Sequence, residues 1–216
     1  AGGIAHDFNN LLMGIQGHVS MLGFDKTPSD PSFERLQAIE EYVKRASDLT
    51  LQLLGFARGG KIEIQSTRIN DLVKKSSALF GRTKREIAIH SKYQEAVWPV
   101  EVDRGQIDQV LMNLFVNAAQ AMPDGGELYL ETENVTIDEA VADPFPVQKG
   151  RYVKLSVTDT GIGMDKATQE KIFDPFFTTK EMGRGTGLGL ASAYGIIKNH
   201  GGFINVYSEK GHGSTF

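Results

Sequence analysis

The stretch from Asp159 to Ala191 reads DTGIGMDKATQEKIFDPFFTTKEMGRGTGLGLA, in which two glycine clusters surround a short aromatic and polar segment. An alternating apolar run over residues 152–157 precedes it and predicts a strand that ends at Asp159. The second cluster leads into a helical pattern over residues 190–197. Glycines before a helix let backbone N–H groups approach an anion, and the helix N-terminus favours negative charge. The stretch therefore predicts a loop that binds nucleotide phosphates; a flexible connection between strand and helix is the alternative.

The spacing of the glycines excludes two common nucleotide-binding motifs. The chain has no G-x-x-x-x-G-K-S/T, and GTGLG at residues 185–189 has the wrong offsets for G-x-G-x-x-G. The clusters instead resemble the nucleotide-binding boxes shared by sensor histidine kinases, gyrase-type ATPases, MutL-type repair proteins and heat-shock chaperone ATPases. Two features elsewhere in the chain distinguish among these relatives.

Composition sets the broad class of the protein. The chain has 216 residues, 40% hydrophobic and 23% charged, which is typical of a soluble protein with a buried core. A formal net charge of −4 gives no electrostatic reason to expect nucleic-acid binding, and the absence of cysteine excludes disulfides and Cys-based metal sites. No apolar run is long enough to cross a bilayer. Because the sequence starts at Ala1 and stops inside a strand pattern, we expect a fragment of a longer protein.

The first 60 residues have the pattern of a helical hairpin. The apolar residues of the first helix lie four or three positions apart and form one stripe, roughly 80° wide, made of Ile4, Phe8, Leu11, Ile15, Val19 and Leu22. A turn at residues 25–31 precedes a second helical pattern over residues 36–56, which Gly59 and Gly60 end. Two such helices cannot bury their stripes alone, whereas two hairpins can form a four-helix bundle. We therefore predict a homodimer through residues 1–60.

The first distinguishing feature is a histidine on the polar side of the first helix. His6 lies opposite the apolar stripe, with Asp7 beside it and Asn10 one turn further on. A solvated surface histidine is the alternative, but GIAHDFNNLL at residues 3–12 resembles the phosphoacceptor box of a sensor histidine kinase, in a variant that lacks the usual proline. A neutral imidazole is nucleophilic, and Asp7 can accept its other ring N–H and assist the attack. By the same resemblance, Asn10 matches the position that orients water when such kinases dephosphorylate their regulator.

The second distinguishing feature lies on a helix for which Asp103 is the predicted N-cap. The segment QVLMNLFVNAAQA at residues 109–121 resembles the N box of the superfamily, and Asn113 and Asn117 project from one face because they are four apart. The resemblance implies that the Asn117 side-chain oxygen binds Mg²⁺, and core amides or caps are the alternative. ATPases of the superfamily have a water-activating glutamate at the position of Asn113. An amide cannot act as a general base, which argues against hydrolysis.

The same resemblance assigns roles around the opening stretch. The Asp159 carboxylate accepts a hydrogen bond from the adenine amino group, and Thr215 assists adenine binding through water. Residues 173–185 are the predicted lid over the nucleotide, and Phe176 is its predicted anchor. The remaining predicted contacts are Gly161 and Gly163 beside the base, Lys180 toward the phosphates, Asn113 beside the nucleotide, and Gly185, Gly187, Leu188 and Gly189 as the phosphate-binding segment.

The sequence thus predicts an α+β protein: a hairpin (residues 1–60) that forms a dimeric four-helix bundle, a linker (61–66) and an α/β sandwich with a mixed sheet packed on helices (67–216). The predicted activity is phosphorylation of His6 by ATP and Mg²⁺, followed by transfer to an aspartate of a response-regulator receiver domain. A phosphatase activity toward that regulator is also expected. The resemblance implies a cytoplasmic location, without nucleic-acid or membrane contact by this fragment. An ATP-binding sensing module with little kinase activity, and an ATPase clamp, are the alternatives.

Overall fold

The computed structural model describes residues 2–24, 26–27, 30–43, 46, 63–138, 148–180 and 185–216, without the side chains of residues 2–9. By contacts between Cα atoms the chain divides into two units. The helical unit comprises residues 1–61 and 180–186, and the nucleotide unit comprises residues 62–179 and 187–216. No described helix is both long enough and apolar enough to cross a membrane.

Two helices dominate the described part of the helical unit. Helix α1 spans Gly2–Gly23, and residues 33–43 form α2. Asp30 starts α2 by accepting hydrogen bonds from the Ser32 amide (2.8 Å) and hydroxyl, and the hydrogen bond from Lys26 is the main reason that the pKa of Asp30 is lowered. This confirms two helices joined by a turn. The predicted continuation of the second helix to residue 56 lies outside the described residues.

The apolar residues of α1 divide into two sets. Leu12 and Val19 are buried, as is Val43 of α2. Most members of the predicted stripe that the structure describes are exposed, Leu11 and Leu22 at 66% and 64%. Because Leu12 lies about 100° around the helix from Leu11, the hairpin covers one side of α1 and leaves most of the stripe uncovered, with Val19 as the buried exception.

The described residues of the nucleotide unit form seven strands in two sheets. Strands β1 (Ile64–Thr67) and β3 (Val100–Asp103) make a short antiparallel pair. The second sheet has the order β2-β4-β5-β7-β6, made of β2 (Ile87–Tyr93), β4 (Gly126–Ile137), β5 (Gly150–Asp159), β6 (Tyr207–Glu209) and β7 (Gly213–Thr215). Strands β2 and β4 are parallel and all other neighbours are antiparallel, so the sheet is mixed as predicted. Residues 64–66 of the predicted linker belong to β1, and the predicted domain bounds stay a prediction.

Helices cover one face of this sheet. They are α3 (Ile69–Thr83), α4 (Arg104–Ala121) and α6 (Gly189–Asn199), whereas the single turn α5 (Lys166–Gln169) follows β5 and has no buried residue. Leu111 and Phe115 of α4 are fully buried with Leu128 and Leu130 of β4, and they form the centre of the core. Alternate residues of β4, such as Glu127 and Glu131, are exposed on the other face. This arrangement confirms an α+β fold with a mixed sheet packed on helices.

Helix α4 begins where the sequence predicts. The Asp103 side chain accepts a hydrogen bond from the Gln106 amide at 3.0 Å, which is the geometry of an N-cap, and this bond is the largest cause of its lowered pKa. At the other end, the Gly125 amide bonds to the Met122 carbonyl, and Gly125 turns the chain into β4 with a φ of +87°. The helix therefore crosses the unit between two well-defined ends.

Candidate nucleotide-binding site

Two asparagines of α4 face the first residue of α6. The Asn113 side-chain nitrogen donates a hydrogen bond to the Gly189 carbonyl at 2.9 Å. A Cβ added to Gly189 would lie 3.6 Å from Asn113 Oδ1 and 3.8 Å from Asn117 Nδ2. The two N-box amides and the start of the helix after the second glycine cluster therefore meet at one place, which we call the phosphate end.

A buried carboxyl group lies at the last residue of β5. Asp159 is only 4% exposed, and its Oδ1 accepts a hydrogen bond from the Gly161 amide at 2.8 Å. Burial raises the pKa of Asp159, while hydrogen bonds from the amides of Gly161 and Ser214 act in the opposite direction. A buried acceptor of this kind can bind an amino group of a ligand, and a purine amino group fits its chemistry. We call this region the base end.

The loop after Asp159 is fixed on both sides by backbone contacts. Gly161 lies against the last turn of α4, where a Cβ would approach the Cβ and the carbonyl oxygen of Ala121 to 2.7 Å. The Ile162 amide donates to that same carbonyl at 3.1 Å. Gly163 has a φ of +62°, and a Cβ there would lie 1.9 Å from the Glu209 carbonyl oxygen. Glycine is required at residues 161 and 163 by the fold itself, whether or not a base binds there.

Two serines that the sequence did not suggest line the base end. Ser214 pairs with Asp159 across β5 and β7, and its hydroxyl lies 2.9 Å from that of Ser208. The Ser208 hydroxyl also donates to the Gly213 carbonyl and accepts from the Met164 amide, each at 2.8 Å. These contacts join the loop after Asp159 to the hairpin formed by β6 and β7.

The role of Thr215 beside adenine stays a prediction, and the strand register favours its neighbour Ser214. Thr215 pairs with Thr158, and their hydroxyls lie 2.9 Å apart. Because side chains alternate between the two faces of a sheet, Thr215 projects away from Asp159 while Ser214 projects toward its side. The register of β7 on β5, which pairs Ser214 with Asp159, identifies Ser214, and no pattern within one strand does so.

Phe176 is held by its backbone in this structure. Its ring is 64% exposed, and its role as an anchor of the lid stays a prediction. The Phe176 amide donates to the Gly187 carbonyl at 3.0 Å, and both residues have positive φ. A Cβ on Gly187 would lie 2.3 Å from the Phe176 carbonyl carbon. Close main-chain contact therefore joins the segment before the second glycine cluster to that cluster.

Other predicted residues have separate positions. Leu188 is buried and its carbonyl accepts from the Ser192 amide at 2.8 Å, so only its backbone can serve a ligand. Lys180 is exposed and Gly185 half-buried, and both belong to the helical unit, so their phosphate contacts remain predictions.

The predicted phosphoacceptor residues lie on α1. His6 and Asp7 are helical, but their side chains lie outside the described part of the chain, and Asn10 is exposed one turn later. Their chemical roles therefore remain predictions.

Comparison with known proteins identifies similar sequences. Residues 102–216 match a family model described as histidine kinase-, DNA gyrase B-, and HSP90-like ATPase. The chain is 43% identical over 218 residues to the sensor kinase CckA of Brucella abortus (strain 2308), a match that covers 100% of this chain and 23% of that protein. The chain thus spans about a quarter of the length of this curated relative.

Solved structures of kinases have the same fold. Full-length ShkA in complex with AMPPNP aligns over 99% of this chain and 43% of its own, with a TM-score of 0.70 and 25% identity. The nucleotide-free catalytic domain of histidine kinase ThkA aligns over 72% of this chain and 93% of its own, with a TM-score of 0.58 and 31% identity. ThkA in complex with the response regulator protein TrrA aligns over 99% of this chain and 58% of its own, at a TM-score of 0.65 and 24% identity, a likeness of fold.

Proposed function

The chain belongs to the sensor histidine kinases, and on that premise we propose that it binds ATP with Mg²⁺, phosphorylates His6 and passes the phosphoryl group to an aspartate of a response regulator. The observation that carries this proposal is the position of α4 in the site. Its last turn contacts the loop after Asp159, and Asn117 and Asn113, one and two turns earlier, face Gly189. A single rigid helix thus spaces a base-binding end and a phosphate-binding end.

Each end fits a different part of ATP. The Asp159 carboxylate accepts a hydrogen bond from the adenine amino group, and the main chain at Gly161 and Gly163 lies beside the base. Gly185, Gly187, Leu188 and Gly189 offer backbone N–H groups to the phosphates at the start of α6, where the helix dipole favours negative charge. Lys180 and Asn113 add polar contacts with the phosphates.

The residues at the phosphate end fit Mg²⁺. Asn117 offers a side-chain amide oxygen, and Mg²⁺ prefers oxygen ligands, keeping waters and substrate phosphates as the others. When bound, Mg²⁺ neutralises charge on the phosphates and withdraws electrons from them. Asn117 holds the ion, while Asn113 fixes the start of α6 through Gly189.

His6 is the acceptor in the phosphoryl transfer. The lone pair of one imidazole nitrogen forms a bond to the γ-phosphorus, and the bond from that phosphorus to the bridging oxygen breaks, so ADP leaves with the electron pair. Asp7 accepts the proton of the other ring nitrogen, and phosphohistidine remains neutral at the ring. A receiver-domain carboxylate then attacks the same phosphorus, the bond between phosphorus and the His6 nitrogen breaks, and the imidazole leaves with the electron pair and regains its proton from Asp7. In the opposing activity, dephosphorylation of the regulator, Asn10 orients the attacking water.

A dimer and a response regulator are the proposed partners. The exposed apolar side chains of the helical unit support a four-helix bundle made by two copies of residues 1–60, and they include Leu11, Met13, Ile15, Met21, Leu22 and Phe24. In the domain division that we propose, residues 67–216 bind ATP. ThkA assembles with TrrA, which supports a receiver domain as the phosphoryl acceptor.

Incubation with γ-labelled ATP and Mg²⁺ tests this function. We expect wild-type protein to acquire an acid-labile, base-stable label that His6→Gln lacks. His18→Gln is the matched control, since His18 is an exposed histidine of the same helix, and this variant should be labelled like wild type. ATP binding without labelling of any variant would contradict the kinase function and support a sensing module. ATP hydrolysis that His6→Gln leaves unchanged would support an ATPase clamp.

A further inference from the structure

Three side-chain hydrogen bonds join α4 to α6 along their lengths. From one hydrogen bond to the next, the residue number rises on α4 and falls on α6, so the two helices are antiparallel. We call this set the α4–α6 ladder, and its members are Asp103 with His200 at 3.0 Å, Gln109 with Ser192 at 3.3 Å, and Asn113 with Gly189 at 2.9 Å.

The contact of His200 determines where its proton lies. The Asp103 backbone N–H donates to His200 Nε2, so that nitrogen must present its lone pair. Nδ1 lies 2.8 Å from the Ile196 carbonyl oxygen, which can only accept, so Nδ1 carries the hydrogen. Both ring nitrogens are therefore occupied, and the ring is neutral with the hydrogen on Nδ1.

The capping of helix ends does not explain the contacts that the His200 side chain makes, because other groups already cap both ends. The end of α6 is closed by the His200 backbone N–H, which bonds to carbonyls of the last turn, including that of Ile196 at 3.2 Å. The start of α4 is capped by the Asp103 carboxylate through Gln106. The imidazole adds a contact between the two helices, because it links the last turn of α6 to Asp103, the residue immediately before α4.

The ladder sets the axial register of the two helices. Gly189, at its far end, is the first residue of α6, and it faces Asn113 and Asn117. A slide of one residue along a helix is a shift of about 1.5 Å. Mg²⁺ requires nearly ideal octahedral geometry, so a shift of that size separates the phosphate-binding backbone from the metal-binding amide.

We propose that His200 is a positioning residue, whose neutral ring with the hydrogen on Nδ1 holds α4 and α6 in the register that Mg²⁺-dependent nucleotide binding needs. The inference rests on the proposed function. It concerns a residue about ten positions after the glycine cluster, at the opposite end of α6.

Nitrogen NMR of the histidine ring tests the proton position in the nucleotide-free protein. In ¹⁵N-labelled protein at neutral pH, long-range correlations should show His200 with a protonated Nδ1 and an unprotonated Nε2. His200→Gln assigns the signals by their loss. A ring protonated on Nε2, or on both nitrogens, would overturn the proposal.

Variants of His200 test its effect on binding. Gln can place its side-chain oxygen near the position of Nε2 and accept from Asp103, whereas the shorter Asn reaches only the Nδ1 position. We expect His200→Asn to bind Mg·ADP about 10-fold more weakly, the value of one typical hydrogen bond, and His200→Gln to stay within about 3-fold of wild type. Without Mg²⁺, in EDTA, the loss in His200→Asn should be smaller. His212→Gln, whose ring is 74% exposed, is the matched control and should bind like wild type.

Three outcomes overturn the role of His200 alone: unchanged binding by His200→Asn, equal losses in both variants, or an equal loss in EDTA. Thermal unfolding of each variant shows whether it is folded, and the comparison between His200→Gln and His200→Asn remains decisive if one is less stable. Wild-type protein that binds no adenine nucleotide overturns the proposed function itself, and this result is distinct from the other three.

Discussion

The base end and the phosphate end of the candidate site are built in different ways. At the base end, Asp159 is buried, and the loop after it is enclosed by α4 and the β6–β7 hairpin so tightly that no Cβ fits on Gly161 or Gly163. At the phosphate end, Gly189 has room for a Cβ, and its polar neighbours are the flexible side chains of Asn113 and Asn117. The main-chain contact of Phe176 with Gly187 is the tight exception there.

This difference suggests that the protein selects the base with a preformed surface and completes the phosphate contacts when the ligand arrives. Changes at the base end should affect folding and binding together, because the same atoms serve both. Changes at the phosphate end should affect binding while folding persists. Five experiments test this contrast, from the largest expected effect to the smallest.

Gly163→Ala should have the largest effect. A Cβ at this position meets a backbone oxygen at 1.9 Å, so we expect a loss of at least about 3 kcal/mol in the free energy of unfolding, or no folded protein. Gly189→Ala is the counterpart at the phosphate end, where the nearest atom would be 3.6 Å away, and should change stability by less than about 1 kcal/mol. Urea unfolding measures both. Equal losses in the two variants would remove the contrast.

Asp159→Asn should abolish most binding of adenine nucleotides. The carboxylate is replaced by a group that offers one acceptor and one donor, and loss of a hydrogen bond to a charged group corresponds to a decrease of about 10- to 100-fold in affinity. Calorimetric titration with ADP measures it. Retained binding would place the base elsewhere, as long as thermal unfolding shows that the variant is folded.

Asn117→Ala should weaken binding only when Mg²⁺ is present. We expect about a 10-fold loss of affinity for Mg·ADP, no change for ADP in EDTA, and a stability within about 0.5 kcal/mol of wild type. Paired titrations with and without Mg²⁺ make the comparison. An equal loss in both conditions would mean that Asn117 contacts the nucleotide directly and not through the ion.

Ser214→Ala and Thr215→Val differ in which face of β7 they change. Ser214 lies on the side of Asp159, so its loss should weaken ADP binding by a few-fold, on the order of a single neutral hydrogen bond. Thr215→Val removes the contact with Thr158 on the other face and should leave binding unchanged. The opposite order of effects would restore Thr215 to the site.

The pH dependence of stability gives the smallest effect. Burial raises the pKa of Asp159 above its ordinary value of 3.8, so its contribution is complete below that pH and is lost as pH rises through the folded-state pKa. The stability of wild type relative to Asp159→Asn should therefore fall as pH increases from about 4 toward 7. Asn117→Ala removes a group that does not titrate, so the stability of wild type relative to this variant should not change over the same pH range. If the stability of wild type relative to Asp159→Asn rose with pH, the result would contradict a buried carboxyl group at residue 159.

Much of the nucleotide unit could be predicted from local patterns. The Asp103 cap, the apolar face of α4 and the strand that ends at Asp159 all depend on short-range periodicity, and the structure has each of them. Local sequence periodicity did not predict the contacts between segments that lie far apart in the sequence.

The contrast between Ser214 and Thr215 shows the same limit at the scale of one residue. Both are small hydroxyl residues in GSTF, and the resemblance selected Thr215. Only the register of β7 on β5 decides which faces Asp159, because a shift of one residue exchanges the two faces.

By itself, the sequence determined the family, the order of the nucleotide-binding segments, the candidate phosphoacceptor His6 and the elements that carry these residues, because motifs and periodicity are local properties. Tertiary structure alone decided that Ser208 and Ser214 line the base end, that Phe176 is held by its backbone, and that His200 joins α6 to α4. The physical reason is that sheet register and helix packing bring distant residues within hydrogen-bonding distance, and no pattern within one segment specifies that distance.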